Sequence, residues 1–247
     1  MRIIIKFLLF LIIFIPLVAY GQKPSGRNSK QKDITRAGAR ASGASELLTE
    51  IRGNLNKIPA YMLKKARVIA VFSARPRFGE YSGDEDGVGL AIARDTKTNR
   101  WSAPIFFTVK GGSIRDLADR KNISAQMNDK ETSLVFLGMN DRLINSFLTE
   151  QIVLGADEVC LPGTFAQLNP DEFVAYSVGL MCYIYARKLI IGASLEETTI
   201  RQDNKLNEAI YEEKKLDRFL PVADYMPKEI LAFTEAIELF CQQSHRY

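Results

Sequence analysis

The one histidine of the chain, His245, is the third residue from its end. A Ser-His-Asp or Cys-His nucleophile needs an imidazole fixed beside its hydroxyl or thiol, and a His-rich metal centre needs several. A lone imidazole in a frayed terminus supplies neither. Acid pairs remain, and Asp84-Glu85-Asp86 and Glu196-Glu197 are the available clusters. Two carboxylates flanking a glycosidic bond can hydrolyse it, but neighbouring acids in a turn are more often simply solvated. Asp84, Glu85 and Asp86, together with Asp95, offer oxygen ligands to a hard cation such as calcium, without a calcium-loop spacing to organise them. The expectation is a protein that is not an enzyme, with no catalytic residues, no metal and no cofactor.

Three cysteines, Cys160, Cys182 and Cys241, are separated by 22 and 59 residues, which fits no zinc motif. One pair could bridge and leave a free thiol, or all three could be small buried apolar residues. Cys182 lies in a strongly apolar run, where burial is the better reading. Gly111-Gly112-Ser113 could form a backbone anion nest, because glycines let consecutive amides converge. The plainer reading is a turn between strands, since neither the P-loop lysine nor a dinucleotide fingerprint is present. Trp101, the one tryptophan, suits either a membrane interface or the core.

The richest chemistry is basic. Residues 22–67 carry eleven Lys or Arg against three acids, whereas residues 68–247 carry twenty against twenty-six. A basic arm on a mildly acidic body suggests an anionic partner for the arm, phospholipid head groups above all, or else a solvated lead-in. Within it, Arg52, Lys57, Lys64, Lys65 and Arg67 would approach head groups. Leu48, Ile51, Leu55, Tyr61 and Met62 would meet the acyl boundary. In the alternative, the same apolar stripe docks on the domain. Nucleic acid is not expected as a partner, because the body is acidic and holds no recognition motif.

These residues must be positioned by elements that the pattern also outlines. Arg2 and Lys6 precede an apolar run from Phe7 to Val18, and Ala19 and Gly21 stand at the small-x-small positions of a cleavage site. Residues 1–21 therefore read as a secretory signal cleaved before Gln22, the other reading being an uncleaved anchor helix. Residues 22–43 are Gly-, Ser-, Lys- and Arg-rich with hardly a large apolar residue, and read as a flexible basic linker. Residues 44–247 form one domain. Leu47, Leu48, Ile51, Leu55 and Ile58 give a helical stripe capped by Ser42 or Ser45 and broken at Pro59. Short β-branched or aromatic runs follow at Val68–Phe72, Gly87–Ala93, Ile105–Val109, Ser133–Met139, Gln151–Leu154, Ala175–Ala186 and Leu189–Leu195. Gly and Asn/Asp turns separate them. Helices are expected over Asp141–Phe147 and Lys228–Gln243, and the charged region Leu195–Phe219 as strand end and loop outside the sheet. The predicted class is α+β: a mainly antiparallel sheet, sandwich or barrel-like, with an N-terminal amphipathic helix and a C-terminal helix.

The ordered set of segments resembles the SYLF (Ysc84-like) family over roughly Leu47 to Phe240. Ile58-Pro59 with Leu63 and Ala66, then Ile69-Ala70-Val71-Phe72, is similar to its opening helix and first strand. Gly87-Val88-Gly89, Trp101-Ser102-Ala103-Pro104 and Gly111-Gly112-Ser113-Ile114 are similar to its Gly-rich hairpin, Trp-Ser-x-Pro signature and next segment. Ser133–Leu137, Leu154-Gly155-Ala156-Asp157, Tyr176-Ser177, Leu189–Glu196, Asn207 and Tyr211 follow in order. Arg115, Leu161-Pro162-Gly163, Glu197 and Glu212 depart from the pattern, as in a divergent exported bacterial-type member. The resemblance implies a non-catalytic phospholipid-binding protein of the cell envelope, periplasmic or extracellular and peripherally membrane-associated. An anionic lipid other than a phosphoinositide would be its ligand. The alternative is a protein-interaction or scaffold module with an envelope protein as partner.

Overall fold

The apolar runs are strands, and they assemble because most have little polar alternation and must be covered on both faces. A computed structural model describes residues 26–53, 58–74, 87–95, 97–117, 132–164, 166–177, 179–186 and 188–242. The expected signal peptide, Leu55, Lys57, the Asp84–Asp86 cluster and His245 lie outside the described residues. The strands are β1 (Val68–Ala74), β2 (Gly87–Ala93), β3 (Ile105–Lys110), β4 (Ser113–Leu117), β5 (Thr132–Gly138), β6 (Gln151–Leu154), β7 (Cys160–Pro162), β8 (Leu180–Ala186), β9 (Leu189–Glu196) and β10 (Thr198–Gln202). They form one sheet in the order β4-β9-β8-β5-β1-β2-β3-β10-β6, antiparallel throughout, with β7 added in parallel to β8.

The topology curls this sheet nearly into a barrel. β9 lies next to one end of the order and β10 next to the other, yet a single residue, Glu197, joins them. Likewise β3 and β4 are joined only by Gly111-Gly112. The register runs on across the joint: Ile200 faces Val109 on one side, and Leu195 faces Ile114 on the other. One long antiparallel ribbon is thus bent at Gly111-Gly112 and Glu197, and it stitches the two sheet ends together.

Six helices among the described residues complete the molecule: α1 (Gly26–Arg52), α2 (Ala60–Lys65), α3 (Asp141–Leu148), α4 (Pro170–Tyr176), α5 (Asn204–Tyr211) and α6 (Lys228–Cys241). α1 packs along α6 and over β1 and β2, closing the outer face of the sheet. The class is therefore α+β, a mainly antiparallel barrel-like sheet with an N-terminal and a C-terminal helix, as the pattern predicts. No helix among the described residues is long and apolar enough to cross a membrane.

Three local expectations are corrected. The linker expected over 22–43 is helical from Gly26 onward, and its buried stripe is Ala37, Gly38, Ala41 and Ala44. Small residues let α1 approach α6 closely, so the burial leaves no trace of large apolar residues in the sequence. Residues 170–176 form α4, started by an Asn169 capping box and Pro170, so the strand begins at Leu180 rather than Ala175. Within 195–219, β10 is an interior strand and α5 presents Leu206, Asn207 and Ile210 to the core.

Candidate functional site

The basic residues of the sequence separate in space. Leu48 and Ile51 are 1% exposed and Met62 is wholly buried, so the expected acyl-facing side of the helix faces the core instead. Tyr61 is half-buried, its hydroxyl accepting the Leu168 N–H at 3.0 Å. The docked alternative holds for α1, and the reason is energetic: fully burying such a side chain is worth about 1.5–3 kcal/mol wherever a protein surface already fits it. Arg52 remains exposed in the last turn of α1.

Lys64 and Lys65 are exposed because Met62 and Leu63, which immediately precede them, anchor the opposite side of the six-residue α2 in the core. The Lys65 ammonium sits 4.2 Å from the centre of the Phe173 ring. Arg67 pairs with Asp141 at the start of α3. The end of α2 exposes carbonyls with no partner inside the helix. Arg94, at the end of β2, supplies donors to them: its Nε bonds the Ala66 carbonyl at 3.2 Å and its Nη2 the Leu63 carbonyl at 3.5 Å. The same guanidinium lies 4.3 Å from the centre of the Trp101 ring. Trp101 is buried, so its core reading holds, with the ring as a floor beneath a cation.

The turn between β2 and β3 places these groups. The Asp95 carboxylate accepts the Lys97 N–H at 3.0 Å and the Thr98 N–H and hydroxyl at 2.6 and 2.9 Å. Those Thr98 bonds hold its carboxyl below the usual range, and they occupy it within its own turn rather than with a cation. Asn99 takes the left-handed conformation at φ 58°, which an Asn tolerates better than most residues. The chain then returns with Arg94 bridged to Trp101 and Arg100 at the rim. Ser102 locks the return: its buried hydroxyl accepts the Ala93 N–H at 3.0 Å and donates to the Ala103 carbonyl at 2.8 Å.

Around this turn lie two adjoining clefts. One, of about 670 Å³, is bounded by Lys64, Arg94, Arg100 and Trp101, with Glu238 and Cys241 of α6 opposite. The other, of about 580 Å³, shares Arg94, Arg100 and Trp101 and continues along Ile144, Leu148, Phe219 and Leu220. Burial lowers the Arg94 pKa from its ordinary value, with the Arg67 charge acting in the same direction. Among the described residues no carboxylate pairs with Lys64, Arg94 or Arg100.

The remaining candidates do other work. Gly111 and Gly112 have φ +63° and +117° and form the ribbon bend, and Ser113 begins β4. Two successive positive φ values do not give the right- and left-handed alternation of an anion nest. Glu197 bends β9 into β10, its N–H bonded to the Leu154 carbonyl at 2.9 Å. All three cysteines are free and buried. The sequence reading missed Arg94 and Arg100. Their signal lay in position, since both flank the Asp95–Asn99 turn next to the one tryptophan. The chain matches no protein-family model, and no curated protein matches it.

Proposed function

We propose that the protein is a non-catalytic, peripheral binder of anionic phospholipid surfaces in the cell envelope, exported by the signal read at residues 1–21. The observation that carries this reading is the concentration of Lys64, Lys65, Arg94 and Arg100 around one end of the barrel, without ion-pair partners among the described residues. Arg67 adds a fifth cation beside them, partly neutralised by Asp141. Each basic side chain near an anionic leaflet contributes about 1 kcal/mol, and the attraction fades over a Debye length of about 10 Å at 0.1 M salt. Four together give reversible attachment without insertion of a helix, which suits an α1 whose apolar face is already buried. The resemblance to the SYLF family points to the same class of ligand.

Co-sedimentation with anionic and with neutral vesicles across a salt series tests the proposal. Binding to anionic vesicles alone, weakening as salt rises, is the expected result. The triple variant Lys64→Gln/Lys65→Gln/Arg100→Gln should then lose on the order of 100-fold in affinity, at about 1 kcal/mol per charge. Equal retention by neutral vesicles, or none by either, overturns it. The second reading, a protein-interaction module, is favoured by the docked α1 together with exposed Val159, Val174 and Tyr225. It takes first place if no vesicle binds.

A further inference from the structure

Arg94 is an unusual cation in its setting. It is half-buried, it has no carboxylate partner among the described residues, and its position is fixed from three sides. A guanidinium carries five N–H donors in a rigid fork. Two of them serve the α2 carbonyls, which leaves three beside the Trp101 ring. A charge drawn partly out of water without a counter-ion is costly. The cost falls when an anion enters. Lys64 and Arg100 stand on the same cleft, where the one lining carboxylate among the described residues is the exposed Glu238.

We propose that the cleft over Trp101 binds a phosphate monoester, with Arg94 as its fixed donor and Arg100 and Lys64 closing on it. The inference deepens the lipid reading by naming the head group that the surface selects, and it rests on that reading. A monoester phosphate approaches two negative charges near neutral pH, whereas a diester carries one and is blocked on a second oxygen. Three converging cations therefore discriminate between the two, and bidentate guanidinium–phosphate bonds add geometric selection. The source of the phosphate follows from the adjoining cleft. Its wall of Ile144, Leu148, Phe219 and Leu220 begins where Arg94 and Arg100 end, and offers apolar surface to the glycerol–acyl junction of a phosphatidate. A free phosphate has no use for that wall.

Trp101 is the only tryptophan of the chain, so its emission reports from the floor of the cleft. The mature protein, residues 22–247, is titrated with phosphatidylcholine vesicles containing phosphatidate, with vesicles of equal surface charge containing phosphatidylglycerol, and with soluble glycerol phosphate. The expected result is a saturable change in Trp101 emission with phosphatidate vesicles, at about tenfold higher affinity than with the charge-matched phosphatidylglycerol. Glycerol phosphate should give a weaker change of the same sign. Arg100→Gln, at an exposed position, should reduce the preference to about twofold, and Arg94→Lys, which keeps the charge but loses the fork, should abolish it. Lys65→Gln, outside the cleft lining, should weaken both vesicle types alike. Equal affinity for the two charge-matched vesicles, or a preference that survives in both arginine variants, overturns the cleft and leaves the surface reading standing. A response to glycerol phosphate with no vesicle binding overturns the lipid source. Loss of all vesicle binding at low salt in the unsubstituted protein overturns the surface reading itself.

Discussion

Cys241, the last residue of α6, lines the same cleft as Trp101, and its burial has a measurable consequence. Desolvation pushes its thiol up to about 12 from an ordinary 9.0, although the Arg94 charge pulls the other way. The unfolded chain releases this proton near 9 and the folded chain does not. The stabilisation is therefore fully present below that value and is lost as pH climbs toward 12. Within that window this one thiol should steepen the alkaline loss of stability by up to about 1.4 kcal/mol per pH unit. Urea midpoints of the wild type and Cys241→Ala, compared across the alkaline range, check this. The variant should show the shallower slope, and parallel slopes would mean that the thiol is already ionised or solvent-accessible in the folded state. Tyr183 and Tyr211, both raised above the phenol range by burial, add the same sign of dependence in both proteins and cancel in the comparison.

Elements fail or hold at their joints, and the joint of this barrel is Gly112. Its φ of +117° disfavours any side chain, and an added Cβ would stand 2.0 Å from the Thr198 hydroxyl oxygen and 3.0 Å from the Thr198 Cβ. Gly112→Ala should therefore cost about 3 kcal/mol, combining overpacking of about 1–3 kcal/mol with backbone strain of about 1–2 kcal/mol. Chemical denaturation reads this directly. Adding Thr198→Ala should recover part of the loss but not all, because the strained φ remains; full recovery would reduce the effect to a side-chain clash. The sequence made the glycine pair legible as a turn, since Gly-Gly between apolar runs is turn chemistry. It did not reveal that the pairing register continues through the bend, because that depends on Glu197 more than 80 residues later. Strands β1, β2, β3, β5, β6 and β9 are readable from their β-branched and aromatic runs. α1 was not readable before Ser42, because alanine and glycine make its contact with α6. The stripe of Leu48 and Ile51 looks the same whether it meets a core or a membrane. Lys64, Lys65 and Arg67 were visible as a basic run, whereas Arg94 and Arg100 join them only through the fold of β2 and β3 around the end of α2.

Across the whole molecule, charge that is segregated along the chain is largely recombined in space. Of the cations on α1, Lys30 meets Glu212 beyond α5 at 2.9 Å, Arg36 meets Asp33 at 3.0 Å, and Arg40 meets Asp203 at 2.8 Å in a nearly buried pair. The Lys30 bond holds the Glu212 carboxyl below its ordinary range. The excess of base over acid in residues 22–67 is thus a poor guide to where an anionic surface would dock. α1 spends two of its cations on the acidic body and one on its own Asp33, while α2 and the β2–β3 turn keep theirs. This distribution predicts an orientation. Neutralising the ion-paired, exposed α1 cations with Lys30→Gln/Arg36→Gln should leave affinity for anionic vesicles within about twofold, since ion-paired surface charges are worth little to a third party. The matched pair Lys64→Gln/Lys65→Gln should weaken it by more than about tenfold, at about 1 kcal/mol per charge. Both variants lower the net charge of +4 by the same two units, so any difference between them reports placement rather than total charge. Equal losses would mean that the protein meets the membrane through a diffuse field, and a larger loss from the α1 pair would turn the molecule over, with α1 toward the lipid and the Trp101 cleft toward solvent.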